Sequence, residues 1–260
     1  MRRRLDTELV RRGLVASRAR AVEAIDEGRV RVSGAPANSA ARQVDVTEPI
    51  TVVPPPDDYV SRGGHKLAAA LDAFGIDVRD RRALDVGAST GGFTDCLLQR
   101  GAQHVVAVDV GRAQLAWSLR TDDRVSVREQ TDIRAYADAP LAPSPDVCTV
   151  DVSFISLRTV APALVASTSA GTEFVLLVKP QFEAGRARVG KGGVVRDPDV
   201  HRAVLREVVD VLAQHGLGVV GLLRSPLRGA DGNVEFLAHA RHGDATVTQA
   251  DIDGVVVGHE

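Results

Sequence analysis

The sequence predicts an α/β fold: a Rossmann-like, mostly parallel seven-stranded sheet, preceded by a small α+β domain. Three observations predict it. After residue 60, short apolar strand patterns alternate with helical ones, the mark of βαβ units. The stretch "EFVLLVKPQFE", residues 173–183, holds five consecutive apolar residues, as a strand buried on both faces of a parallel sheet does. Pro54, Pro55 and Pro56, followed by Asp57 and Asp58, form a segment that suits neither helix nor ladder. The chain therefore divides into residues 1–53, a linker 54–60, and a larger domain 61–260.

In the first part, Asp6 can cap a short helix ending at Gly13, and Ser17 a second ending at Gly28. Residues 29–32 alternate as a strand, residues 33–36 turn, and residues 49–53 supply another strand. On the second helix Arg18, Val22 and Ile25 fall on one face. In the larger domain, strands are expected at 82–86, 105–110, 125–128, 146–152, 174–179, 218–223 and 234–240. Helices are expected at 67–74, 93–100, 114–119, 157–166 and 200–215. The segment after His242 gives no clear pattern.

Composition narrows the function classes. The chain has 260 residues, 44% hydrophobic and 25% charged, ordinary values for a soluble globular protein. Two cysteines argue for a reducing compartment and against a disulfide framework. The basic start has no apolar core behind it, and no run approaches the roughly 18 apolar residues of a membrane span. A cytoplasmic protein without membrane contact, and a monomer, is expected. The net charge of −2 hides an asymmetry: residues 1–42 carry ten arginines against five acids, and the remainder is acidic. Clustered guanidinium groups fit phosphates and point to a polyanionic partner.

The segment "ALDVGASTGGFTDCLLQRGAQHVVAVDV" reads strand, glycine turn, helix, strand, and ends on Asp109 and Val110. Glycines allow a sharp turn and close approach to a ligand, and an acid about 20 residues on suits ribose hydroxyls. Gly87, Gly91 and Gly92 give GxxxGG after Asp85, not the GxGxxG of nicotinamide sites. This spacing resembles the S-adenosylmethionine loop of class I methyltransferases. The expected cofactor residues are Asp85, Gly87, Ala88, Ser89, Thr90, Gly91, Gly92, Phe93, Asp109, Val110, Asp132 and Asp151.

Four charged residues recur near strand ends or helix starts. Lys66 follows Gly63-Gly64, Asp151 ends the fourth core strand, Lys179 ends the fifth, and Glu235 opens the last. Proline at 180 stops the ladder just after Lys179, at the carboxyl edge where open α/β sheets bind ligands. Residues 183–198 carry four glycines and the basic Arg186, Arg188, Lys191 and Arg196, a flexible substrate lid by composition.

Two resemblances emerge from these motifs. "RLDTELVRRGLVASRARAVEAIDEGRVRVSGAPA" is similar to the RNA-binding module of ribosomal protein S-four and pseudouridine synthases. "SRGGHKL", "DVGASTGGFTD", "DVSFISL", "LVKPQFE", "GKGGVVRD" and "GNVEF" resemble the TlyA family, haemolysin-named ribosomal RNA 2′-O-methyltransferases with an FtsJ-like core. One departure lies at the junction, where an Arg-x-Trp-Val segment of the family is replaced by Asp57-Asp58-Tyr59-Val60.

The resemblance implies a class I S-adenosylmethionine-dependent methyltransferase fold, S-adenosyl-L-methionine as cofactor and a Lys66–Asp151–Lys179–Glu235 tetrad. It also implies ribosomal RNA or ribosomal subunits as partner, with cytidine as the target. No metal is expected. Lys179 either takes the hydroxyl proton or stays charged and stabilises the developing oxyanion. Candidate RNA contacts are Arg3, Arg4, Arg12, Arg18, Arg20, Arg29, Arg62, Arg186, Arg188 and Lys191. Cytosine C5 chemistry fits less well, because Cys148 sits mid-strand among apolar neighbours. Rival readings are a non-catalytic RNA-binding protein, a membrane-acting haemolysin and a small-molecule O-methyltransferase.

Overall fold

The first strand, β1 (Arg2–Arg4), is all arginine and pairs antiparallel with β4 (Gln43–Asp45) in a computed structural model that describes residues 2–15, 17–53, 59–136 and 141–258. Neither strand has the apolar alternation that would reveal it. Between them come α1 (Leu5–Arg11), α2 (Arg18–Asp26), β2 (Val30–Val32) and β3 (Ala35–Pro36), and β5 (Ile50–Val52) follows. Strands β3, β2 and β5 form an antiparallel sheet. Leu5, Leu9, Ala21, Ala24, Ile25, Val30 and Val32 are among the residues of its core.

Two expectations fail here. Asp6 does not cap α1. It lies inside the helix, buried, and Arg4 occupies the cap position. Val22 does not join the buried stripe of α2, which consists of Ala21, Ala24 and Ile25 at i, i+3 and i+4 and leaves Val22 on the flank. Ser17 caps α2 as expected, accepting from the Arg20 amide. The chain clusters into two units, Met1–Asp58 and Tyr59–Glu260. The expected linker prolines, 54–56, with Asp57 and Asp58, lie outside the described residues.

The second unit runs α3 (Gly63–Phe74), β6 (Arg82–Val86), α4 (Gly92–Gln99), β7 (His104–Val108), α5 (Trp117–Arg120) and β8 (Val125–Arg128). It continues with β9 (Val147–Val150), α6 (Leu157–Ala166), β10 (Glu173–Val178), α7 (Pro180–Glu183), α8 (Pro198–Gln214), β11 (Leu217–Arg224), β12 (Phe236–His242) and α9 (Gln249–Val257). The seven strands lie in the order β11-β12-β10-β9-β6-β7-β8, and only β12 runs against the others.

The apolar run in β10 is explained by helices on both faces. Phe174, Leu176 and Val178 pack towards α6, α8 and α9, whereas Val175 and Leu177 pack towards α3 and α4. Successive side chains point to opposite faces, so a doubly covered strand must be apolar throughout.

Helix α5 is shorter than expected. Residues 111–116 are held instead by bonds from the Ala116 amide to Thr90 O and from the Gln114 amide to Glu129. Helix α9, unassigned in the sequence, starts with a reciprocal Thr248–Asp251 capping box. Gly63 and Gly64 are not a loose loop. They open α3, and a Cβ on Gly64 would stand 2.1 Å from the Tyr59 ring.

Candidate active site

The turn after β6 is shaped by close approach. Gly87 has φ +83°, and a Cβ there would lie 2.5 Å from the Asp151 carbonyl oxygen, so only glycine lets the ends of β6 and β9 meet this closely. Ser89 is also left-handed at φ 47°, a costly state for serine. Its amide donates to Asp109 Oδ2 at 2.8 Å, which compensates. Asp109 stands one residue past β7 and accepts from the Gly111 amide at 2.6 Å through Oδ1.

These residues border a crevice of about 340 Å³ at the carboxyl edge of the sheet, within the size range of small-molecule sites. Of the expected cofactor residues, Gly87, Ser89, Asp109, Val110, Asp132 and Asp151 line it. Ala88, Thr90, Gly91, Gly92 and Phe93 do not. They form the turn and the start of α4 behind the wall, where Phe93 packs in the core.

Asp85 also departs from expectation. It is 0% exposed, beneath the crevice, where its carboxyl accepts from Thr94 Oγ1 at 2.7 Å and Thr149 Oγ1 at 3.0 Å. Burial, with repulsion from Asp151 adding, pushes its pKa up to about 7.

The donor set suits S-adenosylmethionine. Each Asp109 oxygen keeps a lone pair for a ribose hydroxyl, and Val86, Val108, Val110, Ile133 and Val152 give apolar walls for a purine. A larger open groove of about 650 Å³ runs beside β11 and α9 but contains none of the candidate residues.

The tetrad resolves into two ion pairs. Lys66, in the first turn of α3, places Nζ 2.5 Å from Glu235 Oε2, and both side chains are nearly buried. Lys179 Nζ lies 2.5 Å from Asp151 Oδ1 and donates to Ser153 Oγ at 2.8 Å. The approach to Asp151 is an ionic contact without hydrogen-bond alignment, so Oδ1 has no aligned donor. The register explains the gathering. Leu176 pairs with Val150 and Val178 with Phe236, which puts Asp151, Lys179 and Glu235 just beyond three adjacent strand ends.

Two residues at this edge escaped the sequence reading. Glu183, ending α7, is buried and accepts from Ser156 Oγ at 2.5 Å and the Leu157 amide at 2.7 Å. It ties the segment after Lys179 to the turn after Asp151. Phe154 lines the crevice, is 91% exposed and has φ 64°. Its ring packs 5.1 Å from that of Phe182, which lies 6.0 Å from Lys179 Nζ.

Several expected RNA contacts have internal partners instead. Arg12 bonds Glu8 and the carbonyls of Asp45, Val46 and Glu48. Arg29 bonds Glu27 and Val53 O, and Arg188 bonds Glu207 and Ala184 O. These three are structural clips. Arg4 and Arg18 share Asp6 yet stay substantially exposed, and Arg20 pairs with Glu23 on the surface. Arg62 reaches the Arg228 carbonyl. Arg3 is half-buried, while Arg186 and Lys191 are exposed.

A sheet of this order, with a glycine turn and an acid just past the second core strand at its carboxyl edge, defines a class I S-adenosylmethionine-dependent methyltransferase. Residues 59–242 match the FtsJ-like methyltransferase family, and residues 3–50 match the S4 domain. The 16S/23S rRNA (cytidine-2′-O)-methyltransferase TlyA of Mycobacterium tuberculosis is 51% identical over 241 residues, covering 92% of this chain and 90% of that protein. Hemolysin A of Brachyspira hyodysenteriae is 41% identical over 91% of this chain and 98% of its own length. A solved hemolysin-named structure from Streptococcus thermophilus superposes with TM-score 0.73 at 40% identity, covering 98% of this chain and 94% of that one. The chain belongs to the TlyA family of methyltransferases.

Proposed function

We propose that the protein methylates the ribose 2′-hydroxyl of a cytidine in ribosomal RNA of the small subunit, the large subunit or both. One observation carries the reading above the others: the Lys179–Asp151 pair stands where Asp151 itself lines the cofactor crevice. The name of the M. tuberculosis relative supplies the cytidine and the two subunits. Residues 1–53 act as the RNA-binding domain, 54–60 as linker and 61–260 as the transferase. The protein works as a monomer in the cytoplasm, where ribosomal subunits are found. Among the described residues no helix is long and apolar enough to cross a membrane, so a membrane-acting haemolysin has no support there.

When bound, S-adenosylmethionine supplies an electrophilic methyl group on a sulfonium. Asp109 and the Gly87–Ser89 turn would hold its ribose, and the valine and isoleucine walls would exclude water. An ammonium has three N–H donors. Lys179 directs one to Ser153 and meets Asp151 through an ionic contact without hydrogen-bond alignment, so an N–H remains for the substrate hydroxyl. That N–H orients the oxygen for attack and stabilises the charge that grows there, and the hydroxyl proton is released to solvent as the oxygen takes the methyl group. The Lys66–Glu235 pair stands at the neighbouring strand start. The exposed Phe154 ring offers an unstacked base a stacking surface. Arg3, Arg4, Arg18, Arg20, Arg62, Arg186 and Lys191 provide phosphate contacts.

The test is incubation of unmodified ribosomal particles with methyl-labelled S-adenosylmethionine, followed by mapping of the label. Label on a cytidine 2′-oxygen is expected. Label on a base, or none on RNA, overturns the reading.

A further inference from the structure

The basic segment 183–198 is fastened to the fold, and the fastening presents a second cavity. Gly193 N donates to Gly190 O at 3.1 Å, closing a turn with Lys191 at its tip. Asn233, 0% exposed, then grips this turn from both sides: its Nδ2 donates to Gly193 O at 3.0 Å, and its Oδ1 accepts from Val195 N at 2.9 Å. The Val195 carbonyl accepts from His201 Nε2 at 3.1 Å. Both backbone polar groups of Val195 are thus fixed, and Arg196 leaves that anchor with its side chain exposed. Among the described residues Arg196 forms no ion pair or hydrogen bond.

Arg196 lines a cavity of about 450 Å³ together with Arg228, Arg224, His201, Asp231 and Val234. Arg224 is turned to the Gly258 carbonyl at 2.9 Å, and burial lowers the pKa of His201. Arg228 donates to the Gly232 carbonyl at 3.4 Å, and the lining carries three guanidinium groups and one carboxylate. It sits at the catalytic edge. Arg224 pairs with Phe236, which pairs with Val178, so the cavity begins beside Glu235 and Lys179. Val234 packs with the α8 cluster, while Glu235 turns to Lys66 on the α3 side. The cavity and the Lys66–Glu235 pair therefore lie on opposite faces of the same strand start.

We propose that this cavity is a phosphodiester subsite, in which Arg196 and Arg228 hold a backbone phosphate of the RNA beside the nucleotide being methylated. The inference rests on the RNA reading above. Guanidinium forks match phosphate oxygens, and an anchored backbone presents Arg196 at lower entropic cost than a loose loop. Such contacts fix the register of the substrate and carry no sequence preference.

The test uses the full chain and a ribosomal RNA fragment, with affinity measured by anisotropy from low to moderate salt and methyl transfer measured in parallel. Arg196→Gln and Arg228→Gln should each weaken RNA binding about 5- to 10-fold and make the log–log salt dependence shallower by about one. kcat at saturating RNA should stay within about two-fold, and S-adenosylmethionine affinity should not change. Arg124→Gln is the matched control. It lies before β8, at the opposite edge of the sheet, and pairs with Asp122, so its salt slope should equal the parent's. Parental binding and slope in both cavity variants overturns the subsite, and so does an equal loss in Arg124→Gln. If the slopes change while no ribose is methylated, the subsite stands and the 2′-hydroxyl reading falls. Unchanged slopes with normal ribose methylation give the reverse.

Discussion

Asp6 and Glu8 in the N-terminal unit lie just under the surface and Asp85 in the catalytic unit lies deep in the core, and although none of the three is exposed, their pKa values move in opposite directions. Asp6 accepts from Arg4 and Arg18, and Glu8 from Arg11 and Arg12. Their guanidinium partners hold Asp6 well below the usual carboxylate range and Glu8 down to about 2. Asp85 has only the hydroxyls of Thr94 and Thr149, and burial takes it up to about 7. Loss of solvent sets the cost of charge; the partner decides whether the cost is met. The small unit keeps its acids ionised by using its own arginines, which reduces the positive charge left for RNA. The catalytic unit has Lys179 face Asp151 and leaves Asp85, nearby and beneath, able to hold a proton.

The largest expected effect removes the cation from a paired acid. Lys179→Met keeps the aliphatic stem, so folding and cofactor affinity should change little while methyl transfer falls about 10²- to 10⁴-fold. Turnover within a few-fold of the parent at saturating substrates would show that the pair is structural.

The second prediction concerns the acid without a cation. A carboxyl whose pKa is raised on folding stabilises the fold most fully at low pH and loses that contribution as pH rises. Asp85 should thus lower stability progressively between about pH 4 and pH 7, by at most about 4 kcal/mol, and add nothing further above that. Denaturant melts of Asp85→Asn should lack this decline. An identical decline in parent and variant would remove Asp85 as its cause.

The third prediction concerns Asp109, whose partners are backbone N–H groups. Asp109→Ala should weaken S-adenosylmethionine binding by about 1–3 kcal/mol in calorimetry, the cost of polar groups left without partners. Equal affinity would take Asp109 out of the site.

The smallest effect is expected for Glu8→Gln. A lowered pKa contributes stability above the ordinary value that is lost as pH falls. Amide exchange in α1 should therefore be faster in the variant at neutral pH, with the gap closing near pH 2. A gap of constant size would point to lost packing rather than lost charge.

Where the information was local, the sequence could be read. The β10 run, the proline after Lys179 and the glycine turn each announce their own structure, and with the reversed final strand they bring four distant residues to one edge. What stayed hidden depends on contacts far along the chain. Arg12 is claimed by carbonyls 33 to 36 residues away, and Glu183 by a turn 26 to 27 residues before it. No spacing rule distinguishes such an arginine from one that faces a ligand. Asp85 misled for a related reason. An acid at a strand end can face the crevice or the layer beneath it, and only the packing of α4 decides. Helix α9 did carry a local signal, Thr248 and Asp251 at capping-box spacing, overlooked in a short valine-rich segment.

The reversed direction of β12 also bears on how such a protein can diversify. Because that strand enters the sheet from the catalytic edge, the hairpin turn preceding it, residues 225–235, hangs over the reacting end, clipped at its base by a bond from the Ser225 amide to Glu235 O. A forward-running strand would have put this turn at the far end. Lengthening or shortening the turn reshapes the surface beside the tetrad, while the S-adenosylmethionine half, built on β6 and β7, stays untouched. Insertions and deletions there can therefore change the surface at this edge without requiring a lineage to rebuild its methyl-donor pocket.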